Sequence, residues 1–277
     1  LRKPGFCASI SAHDECTTTA LLAKLAGIPT RIGFFSTAKG SRFYTHRLRF
    51  DPNLHVIENR YRTLKVLSEE LALTVSPPPL KRVTIRYTEK ERNKISRLLE
   101  NLGYEKVVAI HPFAKRRYQE WGVDKFVQLA HEIVSSESAC ACLILSNGNQ
   151  IPATAHPRVK VVEKTSLLEL AALLQKVDVF VGNNSGPMHI AAAQGTKTIW
   201  ISGPSAPYWR AFAKDVYLRM ISAGVSCAPC DKPHRKRDNC TNVASPMICM
   251  ERVGVTDVLS EVMRAIHKEA ATAFGVR

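Results

Sequence analysis

The stretch Val177-Asp178-Val179-Phe180-Val181-Gly182-Asn183-Asn184-Ser185-Gly186-Pro187-Met188-His189-Ile190-Ala191-Ala192-Ala193 decides the fold. Val177 to Val181 reads as a strand, and Gly182 to Pro187 as a polar turn. Met188 to Gln194 reads as a short helix with Gly195 behind it. Either Ser185 or Gly186 serves as the N-cap, and Pro187 suits a first turn where its missing N–H is not needed. The first N–H groups of such a helix lack internal partners and carry about half a positive charge. The turn is therefore suited to phosphate or pyrophosphate, with His189 placed to reach a phosphate oxygen. The same spacing also fits a plain strand-to-helix turn holding a satisfied histidine.

Outward from this turn the chain alternates. Strands are expected at Lys106–His111, Ala141–Leu145, Val159–Val162 and Thr198–Ser202, and helices at Val123–Ser135 and Ser166–Gln175. Alternation of this kind implies right-handed crossovers and a parallel sheet. Apolar residues on both parities fit strands buried on both faces. Residues 104–250 are thus expected to form a doubly wound α/β domain closed by a helix over about 256–271, where Val258, Val262, Ile266 and Ala270 share one face. Ligands of such folds sit at the carboxyl ends of the strands. Upstream, helices are expected at Thr17–Ala26, His55–Leu73 and Glu89–Leu102, with a strand at Thr30–Phe35. Ser76-Pro77-Pro78-Pro79 separates the second helix from the third. The domains are placed at 1–103 and 104–277.

A second strand end carries His111-Pro112-Phe113-Ala114-Lys115-Arg116-Arg117, then Trp121. Cations beside a phosphate-binding helix would offset the charge of a nucleotide leaving group, which makes Lys115 and Arg116 binding candidates. Trp121 reads as a packing anchor. No GxGxxG, Walker A, HExxH or GxSxG motif is present, which disfavours dehydrogenase, P-loop, zincin and hydrolase readings.

Four cysteines follow as Cys227-x2-Cys230-x9-Cys240-x8-Cys249. Cys-Ala-Pro-Cys resembles a zinc knuckle, but the second pair is spaced more widely than in a zinc ribbon. Thiols and a disulfide are the alternatives, and no metal or cofactor is assigned. Cys7, Cys16, Cys140 and Cys142 read as buried residues. His234-Arg235-Lys236-Arg237 reads as an exposed charge cluster, with no nucleic-acid partner expected.

Composition agrees with a globular protein: 277 residues, 45% hydrophobic and 23% charged. A chain of this mass buries roughly 70% of its unfolded surface. The net charge of +15 favours anionic partners. It is concentrated early, with 18 basic and 9 acidic residues in 1–103. Between Glu15 and Asp51 there is no acid, only Lys24, Arg31, Lys39, Arg42, Arg47 and Arg49. No apolar run is long enough to span a bilayer, and the first residues do not form a signal peptide. A cytoplasmic location follows as an expectation.

The stretches Thr165–Leu173, Asp178–Ala193, Gly195-Thr196 and Gly203–Trp209 resemble the ADP-heptose:lipopolysaccharide heptosyltransferases of glycosyltransferase family 9. Leu25–Phe34, the Cys227/Cys230 pair and Cys249-Met250 are similar to members as well. The resemblance implies a GT-B-like α/β architecture of two Rossmann-like domains. It implies inverting transfer of a heptose from an ADP-sugar donor to a phosphorylated lipid A–core acceptor, on the cytoplasmic face of the inner membrane. The first domain would bind the acceptor. The second would bind the nucleotide sugar through Lys115, Arg116, Asn184, Ser185, Gly186, Pro187, Met188 and His189.

Three departures qualify the likeness. Asn184 stands where members usually carry Asp, and Gln119-Glu120-Trp121 replaces Lys-x-Trp. The family's N-terminal segment, with its Gly-rich turn and catalytic Asp, has no counterpart, so the first domain is expected to be incomplete. No residue is assigned as base, Asp14 and Glu15 included. Two alternatives remain: a catalytically incompetent nucleotide-sugar-binding remnant, and another GT-B-fold enzyme such as a nucleotide-sugar epimerase.

Overall fold

The computed structural model describes residues 5–11, 17–35, 42–74, 83–154, 156–231 and 239–267. Two compact units emerge. Leu1–Pro79, Ala206–Trp209 and Asp231–Lys236 make the first; Leu80–Ser205, Arg210–Cys230 and Arg237–Arg277 make the second. Among the described residues no helix is long and apolar enough to cross a bilayer.

The first unit contains β1 (Ala8–Ser11), α1 (Thr17–Leu25), β2 (Thr30–Phe35), β3 (His46–Arg49) and α2 (Val56–Glu70). Its parallel sheet has the order β1-β2-β3. The central strand supplies the core through Ile32 and Phe34. Phe34 meets Phe50 edge-on at 5.9 Å, and Phe50 meets Tyr208 at 5.0 Å. A capping box opens α2: the Ile57 N–H donates to His55 Nδ1 at 3.1 Å, and the His55 N–H donates to Glu58 at 2.7 Å.

In the second unit the elements run α3 (Glu89–Glu100), β4 (Lys106–His111), α4 (Val123–Ser136), β5 (Cys140–Leu145), β6 (Val159–Val162), α5 (Leu167–Lys176), β7 (Val179–Asn183), α6 (Gly186–Gln194), β8 (Lys197–Ile201), β9 (Leu218–Ile221), α7 (Ile248–Glu251) and α8 (Val255–His267). Every strand pair is parallel, and the order is β6-β5-β4-β7-β8-β9. One face of this sheet buries Phe126, Ile133, Val258 and Val262. The other buries Ile95, Leu173, Phe180 and Met188. The strands predicted in this half all occur, within two residues of the expected ends.

The expected division after residue 103 differs from the observed one, which falls between Pro79 and Leu80. Helix α3 packs in the second unit because its apolar face needs a partner there. Ile95 is buried among Val107, Leu173 and Phe180. Lys94 also pairs with Glu169 at 2.7 Å. Just upstream, Ile85 exchanges two backbone hydrogen bonds with the Gln194 amide, at 3.0 and 3.1 Å.

Cys7 is exposed, against the expectation of burial, whereas Cys140 and Cys142 are buried. The closing helix begins at Val255 and is described to His267. Its expected extension to 271 lies outside the described residues, as do Asp14, Glu15, Cys16, Ser76–Pro79 and His234–Arg237.

Candidate functional site

Strand order reverses direction between β4 and β7. From β4 the chain first winds outward through β5 and β6, then returns to the other side of β4 with β7, β8 and β9. This is the topological switch point, where the loops leaving two neighbouring strands splay apart and leave a crevice at their carboxyl ends. In register, His111 at the end of β4 lies beside Gly182 of β7. The two loops singled out from the sequence therefore leave the sheet side by side.

The pairing of these loops is reinforced by one buried side chain. Asn183, fully buried, donates from Nδ2 to the Pro112 carbonyl at 2.7 Å and accepts from the Trp121 N–H at 3.0 Å. Loss of this amide would leave a buried carbonyl and a buried N–H unmatched. Gly182 permits the close approach of the strands: a Cβ there would lie 3.0 Å from the His111 carbonyl oxygen and 2.9 Å from the Phe180 ring. Trp121 is the anchor expected of it. It is buried, stacks edge-on against Phe126 at 4.9 Å, and donates from Nε1 to the Val253 carbonyl at 2.9 Å.

Of the two N-cap candidates, the structure selects Ser185, with extended backbone (φ −145°, ψ 172°) and Pro187 in the first turn of α6. The Ser185 hydroxyl does not cap the helix. Its Oγ is buried and has no hydrogen-bond partner. An orphaned buried hydroxyl is costly unless a ligand or water satisfies it. Gly186 and Met188 present N–H groups that have no carbonyl four residues back within the helix, and Pro187 has none to satisfy. The Met188 side chain is fully buried in the core, so its contribution at this end is confined to the backbone. Asn184 is half-buried, and its N–H donates to the Ile201 carbonyl at 3.2 Å. His189 is half-buried, four residues past the cap.

On the neighbouring loop Lys115 and Arg117 are exposed. Arg116 is half-buried and donates to the Tyr118 hydroxyl at 3.0 Å. Glu120 accepts from the Ala114 N–H at 2.9 Å, and Gln119 donates to Ser205 Oγ at 3.3 Å. Gln119-Glu120-Trp121 thus braces the loop by three different bonds, and the cations precede it.

The sequence alone assigns His111 no role. The imidazole is buried at the switch point, and its Nδ1 has no hydrogen-bond partner. Burial pushes its pKa down to about 4, so it is neutral at neutral pH. No spacing signal reveals this, because the burial comes from β4 being the central strand.

The four C-terminal cysteines converge although they span 23 positions. Cys227, Cys230, Cys240 and Cys249 line one cavity with Tyr118 and Pro204. Among the described residues, no three His, Cys, Asp or Glu side chains stand gathered tightly enough to hold an ion.

The sequence model of glycosyltransferase family 9 (heptosyltransferase) matches residues 5–240. Lipopolysaccharide heptosyltransferase 1 of Campylobacter coli is 23% identical over 239 residues, covering 86% of this chain and 60% of that protein. Lipopolysaccharide heptosyltransferase 3 of Escherichia coli K12 is 29% identical over 177 residues, covering 58% of this chain and 48% of its own. The chain therefore spans about half to three-fifths of the length of these curated relatives.

Among solved structures, E. coli ADP-heptose lipopolysaccharide heptosyltransferase II aligns with a TM-score of 0.63 at 16% identity, over 94% of this chain and 75% of that one. E. coli heptosyltransferase WaaC with ADP aligns with a TM-score of 0.58 at 15% identity, over 96% and 74%. At such identities the structures show the fold, a GT-B-like α/β architecture with open parallel sheets. With the family's sequence model running through both units, the chain belongs to glycosyltransferase family 9.

Proposed function

We propose that this chain is a glycosyltransferase that moves a heptose, or a closely related sugar, from an ADP-linked donor to a phosphorylated lipopolysaccharide core. The observation that carries the reading is the site at the β4/β7 switch point. There an orphaned Ser185 hydroxyl and the amino end of α6 stand beside a loop bearing Lys115 and Arg116. Helix N–H groups and a hydroxyl donor suit the oxygens of a diphosphate. The relatives are named heptosyltransferases, and one of the similar structures was solved with ADP. The second unit is assigned the nucleotide sugar, through Lys115, Arg116, Asn184, Ser185, Gly186, Pro187, Met188 and His189. The basic first unit is assigned the acceptor.

The chemistry is a single displacement. An acceptor hydroxyl attacks the anomeric carbon from the face opposite ADP, the bond from that carbon to phosphate oxygen breaks, and ADP leaves with the electron pair. Configuration inverts, and the hydroxyl proton passes to a carboxylate. Charge accumulates on the β-phosphate in the transition state. The donors at the α6 end and the cations after β4 would stabilise it there. Asn184, in place of the usual Asp, keeps hydrogen-bonding capacity without adding a negative charge near ADP. A phosphorylated glycolipid acceptor places the reaction at the cytoplasmic face of the inner membrane, where a basic protein binds peripherally.

The test is release of ADP from ADP-heptose with and without a deacylated lipopolysaccharide acceptor. Acceptor-dependent release is expected. Binding of ADP with no turnover would favour a nucleotide-sugar-binding remnant. Conversion of the sugar without acceptor would favour an epimerase.

A further inference from the structure

We propose that the first unit docks on an anionic phospholipid bilayer through the end of its sheet at which the strands begin. Among the described residues of this unit the exposed large hydrophobic side chains are Phe6, Leu22, Leu25 and Leu73, and all four lie at that end. Phe6 is the most open, at 73%. Exposed leucines scattered singly need no explanation, whereas a set at one pole with cations among it marks a contact surface.

The parallel topology brings these residues together. A helix that links parallel strands leaves from their carboxyl ends and runs back to where the next strand begins. Helix α1 therefore delivers Leu22 and Leu25, at i and i+3 on one face, to the start of β2 at Thr30. The Thr30 N–H donates to the Cys7 carbonyl at 3.3 Å, which sets Phe6 beside the same turn. Helix α2 runs back to the start of β3, where Glu70 pairs with His46 at 2.8 Å, and Leu73 follows it.

Cations are interleaved with the apolar groups. Phe43, just before β3, has the Arg42 guanidinium 4.7 Å from its ring centroid and the Lys24 ammonium 5.8 Å from it. Arg31 holds this turn by donating from Nε to the Phe43 carbonyl at 2.7 Å. Lys24 and Arg42 are exposed, and the sequence has no acid between Glu15 and Asp51. Of Glu69 and Glu70, which close α2, the second is occupied by His46. Leucines and an aromatic ring with lysine and arginine between them suit the boundary of acyl chains and headgroups. There the cationic stems lie along apolar surface and their charged ends reach phosphate. The choice of a bilayer as partner rests on the reading of a lipopolysaccharide-core acceptor above; the surface itself rests on exposure and charge.

The experiment is co-sedimentation of the whole chain with phosphatidylcholine vesicles, with and without phosphatidylglycerol, in the absence of nucleotide sugar and acceptor. Expected is binding to the phosphatidylglycerol vesicles that weakens as salt is added. Lys24→Gln with Arg42→Gln should weaken it about thirtyfold, at about fivefold for each cation near an anionic surface. Leu22→Ser with Leu25→Ser should weaken it about tenfold or more. Lys160→Gln with Lys176→Gln removes the same charge from exposed positions of the second unit and should change binding less than about threefold. Equal losses in the two charge variants would overturn the proposal, because binding would then follow net charge and not this surface. So would failure to bind either vesicle, or self-association of the chain that Leu22→Ser with Leu25→Ser abolishes while vesicle binding persists. With no donor or acceptor present, a negative result leaves sugar transfer standing, and a chain that binds vesicles but releases no ADP leaves the docking surface standing.

Discussion

The two units use the same parallel βαβ logic with very different burial. In the second unit β5 and β7 are buried at every residue, and β4 and β8 at all but the first. In the first unit only β2 has a buried run, Ile32 to Phe34, while β3 alternates half-buried and exposed positions and β1 buries only Ser11. A six-stranded sheet covered on both faces has central strands whose every side chain meets protein; a three-stranded one is nearly all edge. The larger unit can therefore hold a polar crevice at its centre and remain well packed around it. Rigidity at the switch point is what a preorganised diphosphate site needs.

Four substitutions sharpen this contrast. The largest effect is expected from Trp121→Ala. It removes a buried indole, its edge-on contact with Phe126 and its bond to Val253, at a cost of about 3–5 kcal/mol in unfolding free energy. Denaturant unfolding followed by circular dichroism checks it. A loss below about 1 kcal/mol would mean that the second unit is not the rigid one.

Next comes acidification. The folded pKa of His111, about 4, is below the ordinary imidazole value of 6.5 because burial disfavours the charged ring. Between those values the unfolded chain binds the extra proton and the folded one does not. Stability is therefore greatest above pH 6.5 and declines as pH falls toward 4, by about 3 kcal/mol in all for this group. Unfolding midpoints measured across that window should lose this part of their slope in His111→Gln. An unchanged slope would contradict burial of the imidazole at the switch point.

Smallest are the direct contacts. Ser185→Ala and His189→Ala should each weaken ADP binding by about 1–3 kcal/mol if the bonds are charge-assisted. Isothermal titration of both variants checks this, with circular dichroism to confirm an intact fold. The effect should be absent from unfolding midpoints measured without nucleotide, which separates these residues from Trp121.

The contrast in burial also explains what the sequence made legible. Lys106–His111 is legible to the residue because a run such as Val107-Val108-Ala109-Ile110 belongs in a covered sheet, and Val159–Val162 is equally legible from its three valines although it is an edge strand with two exposed positions. The β7–α6 turn was equally plain, since strand, glycine, asparagines, N-cap and proline follow in a strict order. Missed were β1, β3 and β9. Ala-Ser-Ile-Ser, His-Arg-Leu-Arg and Leu-Arg-Met-Ile belong to edge strands, whose polar positions hide the pattern.

Helix α3 lies on the other side of the division from where it is expected, because amphipathicity shows that a helix has a buried face and not which sheet covers it. The bracing role of Asn183 and the neutrality of His111 depend on β4 and β7 being neighbours, a long-range fact that no local spacing contains. The thiol cavity was obscured by its wide second spacing. Proximity there is set by the loop after β8 and by the turn at Met247.

The most direct measurement is a crystal structure of the chain with ADP. The diphosphate is expected at the amino end of α6, its oxygens within hydrogen-bond reach of the Gly186 and Met188 N–H groups and of Ser185 Oγ. Nucleotide bound elsewhere on the protein, with the Ser185 hydroxyl still unpartnered, would contradict the assignment.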